Sequence, residues 1–255
     1  MIFIRRMCNL HILFSFVIIF LVKKVVKLMF ERLERIIGKD NINKLNTKTI
    51  AVIGLGGVGG YVVETLIRNG IENIIIIDND NVDITNKNRQ IIATDNTINK
   101  QKVKVFKERI LSINPNCDVT CLNIFLNEEN KEELFKYNID YLVDACDTVK
   151  TKIMLIKECL NRNIKFISSM GTGNKLNPKK LEIMNLKDTN YDPLAKVIRY
   201  EVKKQNIKGK ILVLSSNEEI IKTNTRTPGS YSVVPNTAGI LIADYIIKDI
   251  IKQEN

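Results

Sequence analysis

Three clusters of residues have the types and spacing to do chemistry. Gly54-Leu55-Gly56-Gly57-Val58-Gly59 is a glycine turn that lets backbone N–H groups close on phosphate, with a helix start behind it. Asp78 stands 24 residues after Gly54 and ends an apolar run, the place where a carboxylate binds a ribose hydroxyl; Asp80 follows it. Beyond lie Asn86, Arg89 and Gln90, then Lys102. Arg and Lys neutralise charge that builds on departing phosphates and Asn orients them, so this cluster suits a triphosphate. A third apolar run ends in Asp144 and Asp147. Two carboxylates beside a triphosphate imply Mg2+. An NAD-dependent dehydrogenase is the alternative, but it would leave Arg89, Lys102 and Asp147 idle.

The surrounding pattern supplies elements to hold these groups. Residues 49–53 form a short β-branched run, the signature of a buried parallel strand, and feed the glycine turn. An amphipathic helix runs from the turn to Arg68, and residues 73–78 read as a second buried strand. Further strands are predicted at 118–124, 141–147 and 165–169, and helices at 100–113 and 148–162. Residues 171–173 turn the chain out of the sheet. Residues 175–226 are less periodic, with one helix at 194–205 and one strand at 211–214, and read as a partly mobile substrate-facing insertion. A last helix is predicted at 237–251, with Asn236 as its N-cap after Pro235. Its apolar run contains Asp244 and reads as packed core. The fold class is therefore α/β, Rossmann-like and doubly wound, with a largely parallel sheet and a C-terminal substrate-facing extension. The expected organisation is a leader at 1–29, a nucleotide-binding domain at 30–174, and an extension with a closing helix at 175–255.

Together these motifs resemble the ubiquitin-activating-enzyme-like (ThiF-type) adenylating family over roughly residues 30–251. The matching features are the turn Gly54 to Gly59, Asp78 with Asp80, Asn86 with Arg89-Gln90, Lys102, and Asp144 with Asp147. The resemblance implies that Asp147 binds the metal and that Arg89 and Lys102 hold ATP phosphates. It also implies that Arg32 reaches the γ-phosphate of the partner subunit's ATP in a homodimer. One departure is Asn99, where the family commonly has Gly before its Lys-x-Lys. Several stretches resemble the tRNA-modifying branch of the family: 30–32, 82–86, 107–110, 113–115, 192–196 and 215–218. That branch implies ATP-dependent dehydration and cyclisation of threonylcarbamoyladenosine in tRNA, with a sulfur-relay protein as a further partner. The same-family alternative is an adenylyltransferase acting on the C-terminal carboxylate of a sulfur-carrier protein.

Composition narrows these readings. The 255 residues include one His, His11, which leaves no material for a His-rich metal site. The five cysteines, Cys8, Cys117, Cys121, Cys146 and Cys159, form no Cys-x-x-Cys pair, so zinc is not expected. No Cys follows Cys159, and the thiols sit in apolar patterns that fit structural burial better than covalent capture of an acyl group. Net charge is +11, from 39 Lys+Arg and 28 Asp+Glu. Residues 1–29 carry five basic and no acidic side chains, and residues 175–226 carry twelve basic and six acidic. The rest of the chain is neutral overall, so the surviving excess lies in the segment assigned to substrate, where a tRNA backbone would use it. In the leader, the apolar run 12–22 is too short to span a bilayer. It reads as extra codons upstream of the working start, with a surface anchor or signal-anchor as alternatives. A cytoplasmic location is expected, with peripheral membrane association or a membrane-tethered nucleotide sensor if the leader is retained.

Overall fold

The computed structural model describes residues 28–225 and 227–252. The leader expected at 1–29 lies outside these residues except for its last two, and Met29 packs with Leu33 against buried Phe30 and Ile42. Residues 28–37 form helix α1, followed by α2 (Lys39–Asn46). Alternation then begins: β1 (Thr49–Ile53), α3 (Gly57–Arg68), β2 (Asn73–Ile77), α4 (Lys102–Ile113), β3 (Asp118–Leu122), α5 (Glu132–Phe135) and β4 (Tyr141–Asp144). The second half comprises α6 (Val149–Asn161), β5 (Lys165–Ser169), β6 (Leu181–Asn185), α7 (Pro193–Lys204), β7 (Leu212–Ser216) and α8 (Val233–Ile251).

The seven strands are ordered β3-β2-β1-β4-β5-β7-β6, and every pairing is parallel except β6 against β7. β1 carries the register of the site, because Ile53 stands opposite both Ile77 of β2 and Asp144 of β4. The strand order reverses between β1 and β4, which opens a crevice at their C-terminal ends. Helices cover both faces, so β1 buries both its alternating sets. Ile50 and Val52 face the layer of α3, α4 and α8, while Ala51 and Ile53 face that of α5, α6 and α7. At Gly239 a Cβ would lie 2.3 Å from the Val58 carbonyl oxygen, so its hydrogen side chain lets α8 approach α3 backbone to backbone.

Four elements differ from the sequence reading. The last helix starts at Val233, and Asn236 lies inside it, its N–H donating to the Ser232 carbonyl at 3.1 Å. Pro235 occupies the first turn, where a missing N–H breaks no helical bond, so it does not postpone the helix. β6 and the short α5 were not anticipated. Residues 175–226 supply β6, α7 and β7, with β7 an interior strand of the sheet. The strand at 141–147 ends at Asp144, leaving Ala145 to Asp147 as the loop at its tip. No helix among the described residues is long and apolar enough to cross a membrane.

Candidate active site

An open cleft of about 430 Å³ lies at the C-terminal ends of β1, β2 and β4. It is lined by Gly54, Gly56 and Gly57, by Asp78 and Asp80, by Asn86, Arg89, Gln90 and Lys102, and by Asp147. Gly54 turns at φ +87°, and a Cβ there would lie 2.7 Å from the Ala145 carbonyl oxygen. A Cβ on Gly59 would lie 1.8 Å from the Gly54 carbonyl oxygen. Both positions are closed to any larger residue. Gly56 differs, since its Cβ would meet nothing nearer than Gln90 Nε2 at 3.9 Å, so the turn offers bare backbone to the cleft.

Asp78 fixes that turn. Its Oδ2 accepts from Leu55 N at 2.7 Å and its Oδ1 from Asp80 N at 2.8 Å. Lys102 Nζ lies 3.5 Å from both Asp78 oxygens and 2.8 Å from Asp80 Oδ2. The Lys102 side chain is 6% exposed, whereas that of Asp80 is 62% exposed, so Asp80 is the carboxylate open to solvent. The turn before Lys102 explains the family departure: Asn99 adopts φ +65°, a left-handed conformation that Asn tolerates best after Gly.

The polar stretch is a built support. Asp83 caps a short 3-10 turn (Ile84–Asn86) reciprocally with Asn86, burying the Asn side chain under the loop. Arg89 Nη1 donates to Thr85 O at 3.0 Å and to Asn88 Oδ1 at 2.9 Å, with no carboxylate partner among the described residues. Gln90 is buried, yet its Oε1 has no hydrogen-bond partner. A buried orphan acceptor at a cleft wall is an invitation to a ligand donor.

The two carboxylates after β4 have opposite fates. Asp147 is exposed at the cleft, and among the described residues the Thr148 hydroxyl is its one hydrogen-bond partner, at 3.5 Å. Asp144 is buried: its Oδ2 accepts from Lys152 Nζ at 2.9 Å and from Ser168 Oγ at 2.5 Å, and its Oδ1 from Cys146 N at 3.2 Å. Lys152 also donates to the Ser169 carbonyl at 2.8 Å. Of the pair read as a metal-binding couple, only Asp147 is therefore available. Among the described residues no group of three or more His, Cys, Asp or Glu gathers at one point. Sequence reasoning missed Lys152, because a lysine in a helix usually reads as a solvated face. The available signal was helical spacing, since Val149, Leu155, Ile156 and Cys159 fall on the same face as Lys152.

Arg32 does not line the cleft; it is exposed on α1. The nearest thiol, Cys146, donates to Asp144 Oδ1 at 3.0 Å, and burial, then the Asp144 charge, pushes its pKa well up. Burial likewise raises Cys121 and Cys159, and lifts Cys117 to about 12. All four described thiols stay protonated near neutral pH and are poor nucleophiles.

The chain matches the ThiF family over residues 30–255. It is 40% identical over 240 residues to the tRNA threonylcarbamoyladenosine dehydratase of Bacillus subtilis, covering 88% of this chain and 94% of that one. The Haemophilus influenzae protein of that name is 39% identical over 175 residues, covering 69% of this chain and 67% of its own. Among solved structures, the Escherichia coli tRNA N6-threonylcarbamoyladenosine dehydratase in complex with ATP superposes with a TM-score of 0.84 at 31% identity, covering 89% of this chain and 95% of the other. The glycine turn and its cleft thus sit in a chain alike in sequence and shape along nearly its whole described length, and that chain belongs to the ThiF family.

Proposed function

We propose that this protein dehydrates and cyclises threonylcarbamoyladenosine in tRNA at the expense of ATP. The observation that carries the reading is near-full-length similarity to dehydratases combined with a cleft that offers cations and a free carboxylate but no reactive thiol. Transfer of an activated acyl group to an enzyme cysteine finds no reactive thiol among the described residues, where burial raises the pKa of Cys117, Cys121, Cys146 and Cys159. Cyclisation needs none, since the carbamoyl group lies in the same nucleotide as the activated carboxylate. An intramolecular attack has a high effective concentration.

In this account the bare backbone at Gly56 and the N-terminus of α3 cradle phosphates, and the orphan Gln90 Oε1 accepts a donor of the nucleotide. Asp78, which lines the cleft and holds Leu55 N and Asp80 N, meets the ribose, with exposed Asp80 beside it. Arg89 and Lys102 neutralise phosphate charge, and Lys102 exchanges part of its carboxylate contact for it. Asp147 fits Mg2+, an ion that typically takes one or two protein carboxylates and fills its remaining positions with phosphate and water. The ion would supply charge neutralisation when bound. The threonyl carboxylate is activated by ATP, the carbamoyl group attacks the activated carbonyl carbon, and the phosphate-bearing oxygen departs, for a net loss of one water. Arg32 completes the site from the partner subunit of a homodimer, and the working location is the cytoplasm. Residues 30–174 serve as the nucleotide-binding part and 175–255 as the substrate-facing part.

ATP consumption measured with three additions tests the reading. Threonylcarbamoyladenosine-bearing tRNA should stimulate it, and tRNA lacking the modification should not. Stimulation by a carrier protein ending in Gly-Gly, with modified tRNA inert, would overturn it. The trans role of Arg32 predicts that Arg32→Ala and Asp147→Ala subunits, each inactive alone, regain activity when mixed.

A further inference from the structure

The outer face of α7 is not used by the nucleotide site. Ala195 and Ile198 are fully buried against the core, while Lys196, Val197, Tyr200, Lys203 and Lys204 are exposed. At 100° per residue, Lys196, Tyr200 and Lys203 fall on one stripe, with Val197 and Lys204 beside it. The loop after the helix adds exposed Lys208 and Lys210. None of these five lysines has an ion-pair partner among the described residues. The only acid between residues 196 and 210 is Glu201, half-buried and engaged by Gln205 Nε2 at 2.8 Å. Tyr200 is 64% exposed, with Lys204 Nζ 6.0 Å from its ring centroid.

The N-terminal end of this stripe stands at the catalytic edge of the sheet. Asp192 caps α7 by accepting from Ala195 N at 3.0 Å, and its other oxygen lies 3.4 Å from Ser215 Oγ near the end of β7. A Cβ on Gly171, just past β5, would lie 3.4 Å from Asp192. β5 pairs with β4, whose tip carries Asp147. The residue before this cap, Tyr191, is 56% exposed and adopts φ +53°, a left-handed conformation unfavourable for a tyrosine. The segment leading to it is pinned. Arg199 donates to the Thr189 carbonyl at 2.8 Å and also to its hydroxyl, and that hydroxyl donates to Leu186 O at 2.7 Å. An aromatic ring held out at a strained backbone position, beside a line of free cations, matches how single-stranded RNA loops are bound, by stacking and by phosphate contact.

We infer that the α7 face is the RNA-binding surface: Lys196, Lys203 and Lys204 track the backbone, and Tyr191 stacks on a base at the entrance to the cleft. This rests on the tRNA reading above. The test compares wild type, Lys196→Glu/Lys203→Glu/Lys204→Glu, Tyr191→Asn and Tyr191→Phe. Asn suits the left-handed backbone, and Phe keeps the ring. Binding of modified tRNA is measured across a salt series, with ATP binding by calorimetry as the check on folding. The charge reversal should weaken tRNA binding on the order of a hundredfold at 0.1 M salt and flatten the log–log salt dependence by about 2. Tyr191→Asn should raise the KM for tRNA on the order of tenfold, with Tyr191→Phe near wild type. ATP affinity should be unchanged in all. Wild-type tRNA affinity in the charge-reversed protein, with dehydration intact, overturns the surface and spares the function. A wild type that binds no tRNA and dehydrates none refutes the functional reading itself.

Discussion

Replacing Lys152 with methionine tests the electrostatics beneath the cleft. The lysine is 0% exposed and its partner Asp144 1%, so the substitution leaves a buried carboxylate without its countercharge. Breaking a buried pair from one side costs about 3–5 kcal/mol. Asp144 would keep its bonds from Ser168 Oγ at 2.5 Å and Cys146 N at 3.2 Å, which offset part of this loss. The expected destabilisation is therefore about 3 kcal/mol, a large share of a total of roughly 5–15 kcal/mol. At about 2–4 °C per kcal/mol for a chain this long, the melting temperature should fall by about 6–12 °C. The chain contains no Trp, so urea and thermal unfolding are followed by far-ultraviolet circular dichroism. The double variant Lys152→Met/Asp144→Asn should recover about 2 kcal/mol, because Asn still accepts from Ser168 and no charge remains buried. A single variant within about 1 kcal/mol of wild type at unchanged urea slope, or strictly additive effects in the double, would mean that Lys152 and Asp144 are not an energetically coupled buried pair.

Other predictions follow from the same contacts. Asp147→Ala should abolish turnover and the response to added Mg2+ while leaving the melting temperature unchanged, since its side chain is exposed. Arg89→Ala and Lys102→Ala should each lose about 2–4 kcal/mol of transition-state stabilisation, read as kcat/KM for ATP. Gly59→Ala should destroy nucleotide binding, because its Cβ collides with the Gly54 carbonyl that shapes the turn. Burial alone would raise the pKa of Glu64, but its hydrogen bonds from Arg109 and Arg68 outweigh burial and hold it below the ordinary 4.5. A lowered folded-state pKa contributes stability above 4.5 that is lost as pH falls through the folded value. Glu64→Gln should accordingly flatten the acid limb of the stability profile and destabilise near pH 7.

The nucleotide half of the molecule is legible in the sequence because its signals are local. Residues 50–53 and 74–77 are apolar on both faces, and the turn from Gly54 to Gly59 admits no other residues at its tight points. Signals that depend on distant partners are less visible. The five residues of β6 gain their meaning from pairing with β7, beyond an intervening helix. Asp144 and Asp147 look alike in sequence, and only the arrival of Lys152 and Ser168 from α6 and β5 makes one structural and leaves the other open. Pro235 looks like a stop before the last helix and instead lies in its first turn.

The proposed reaction changes one nucleoside of the tRNA, and mass spectrometry of tRNA nucleosides reads that change. Threonylcarbamoyladenosine-bearing tRNA is incubated with this protein, ATP and Mg2+, then digested under conditions that preserve the cyclic product. Conversion to a species lighter by one water is expected, dependent on ATP and lost in Asp147→Ala. Unchanged threonylcarbamoyladenosine with the folded, ATP-binding protein present would contradict it.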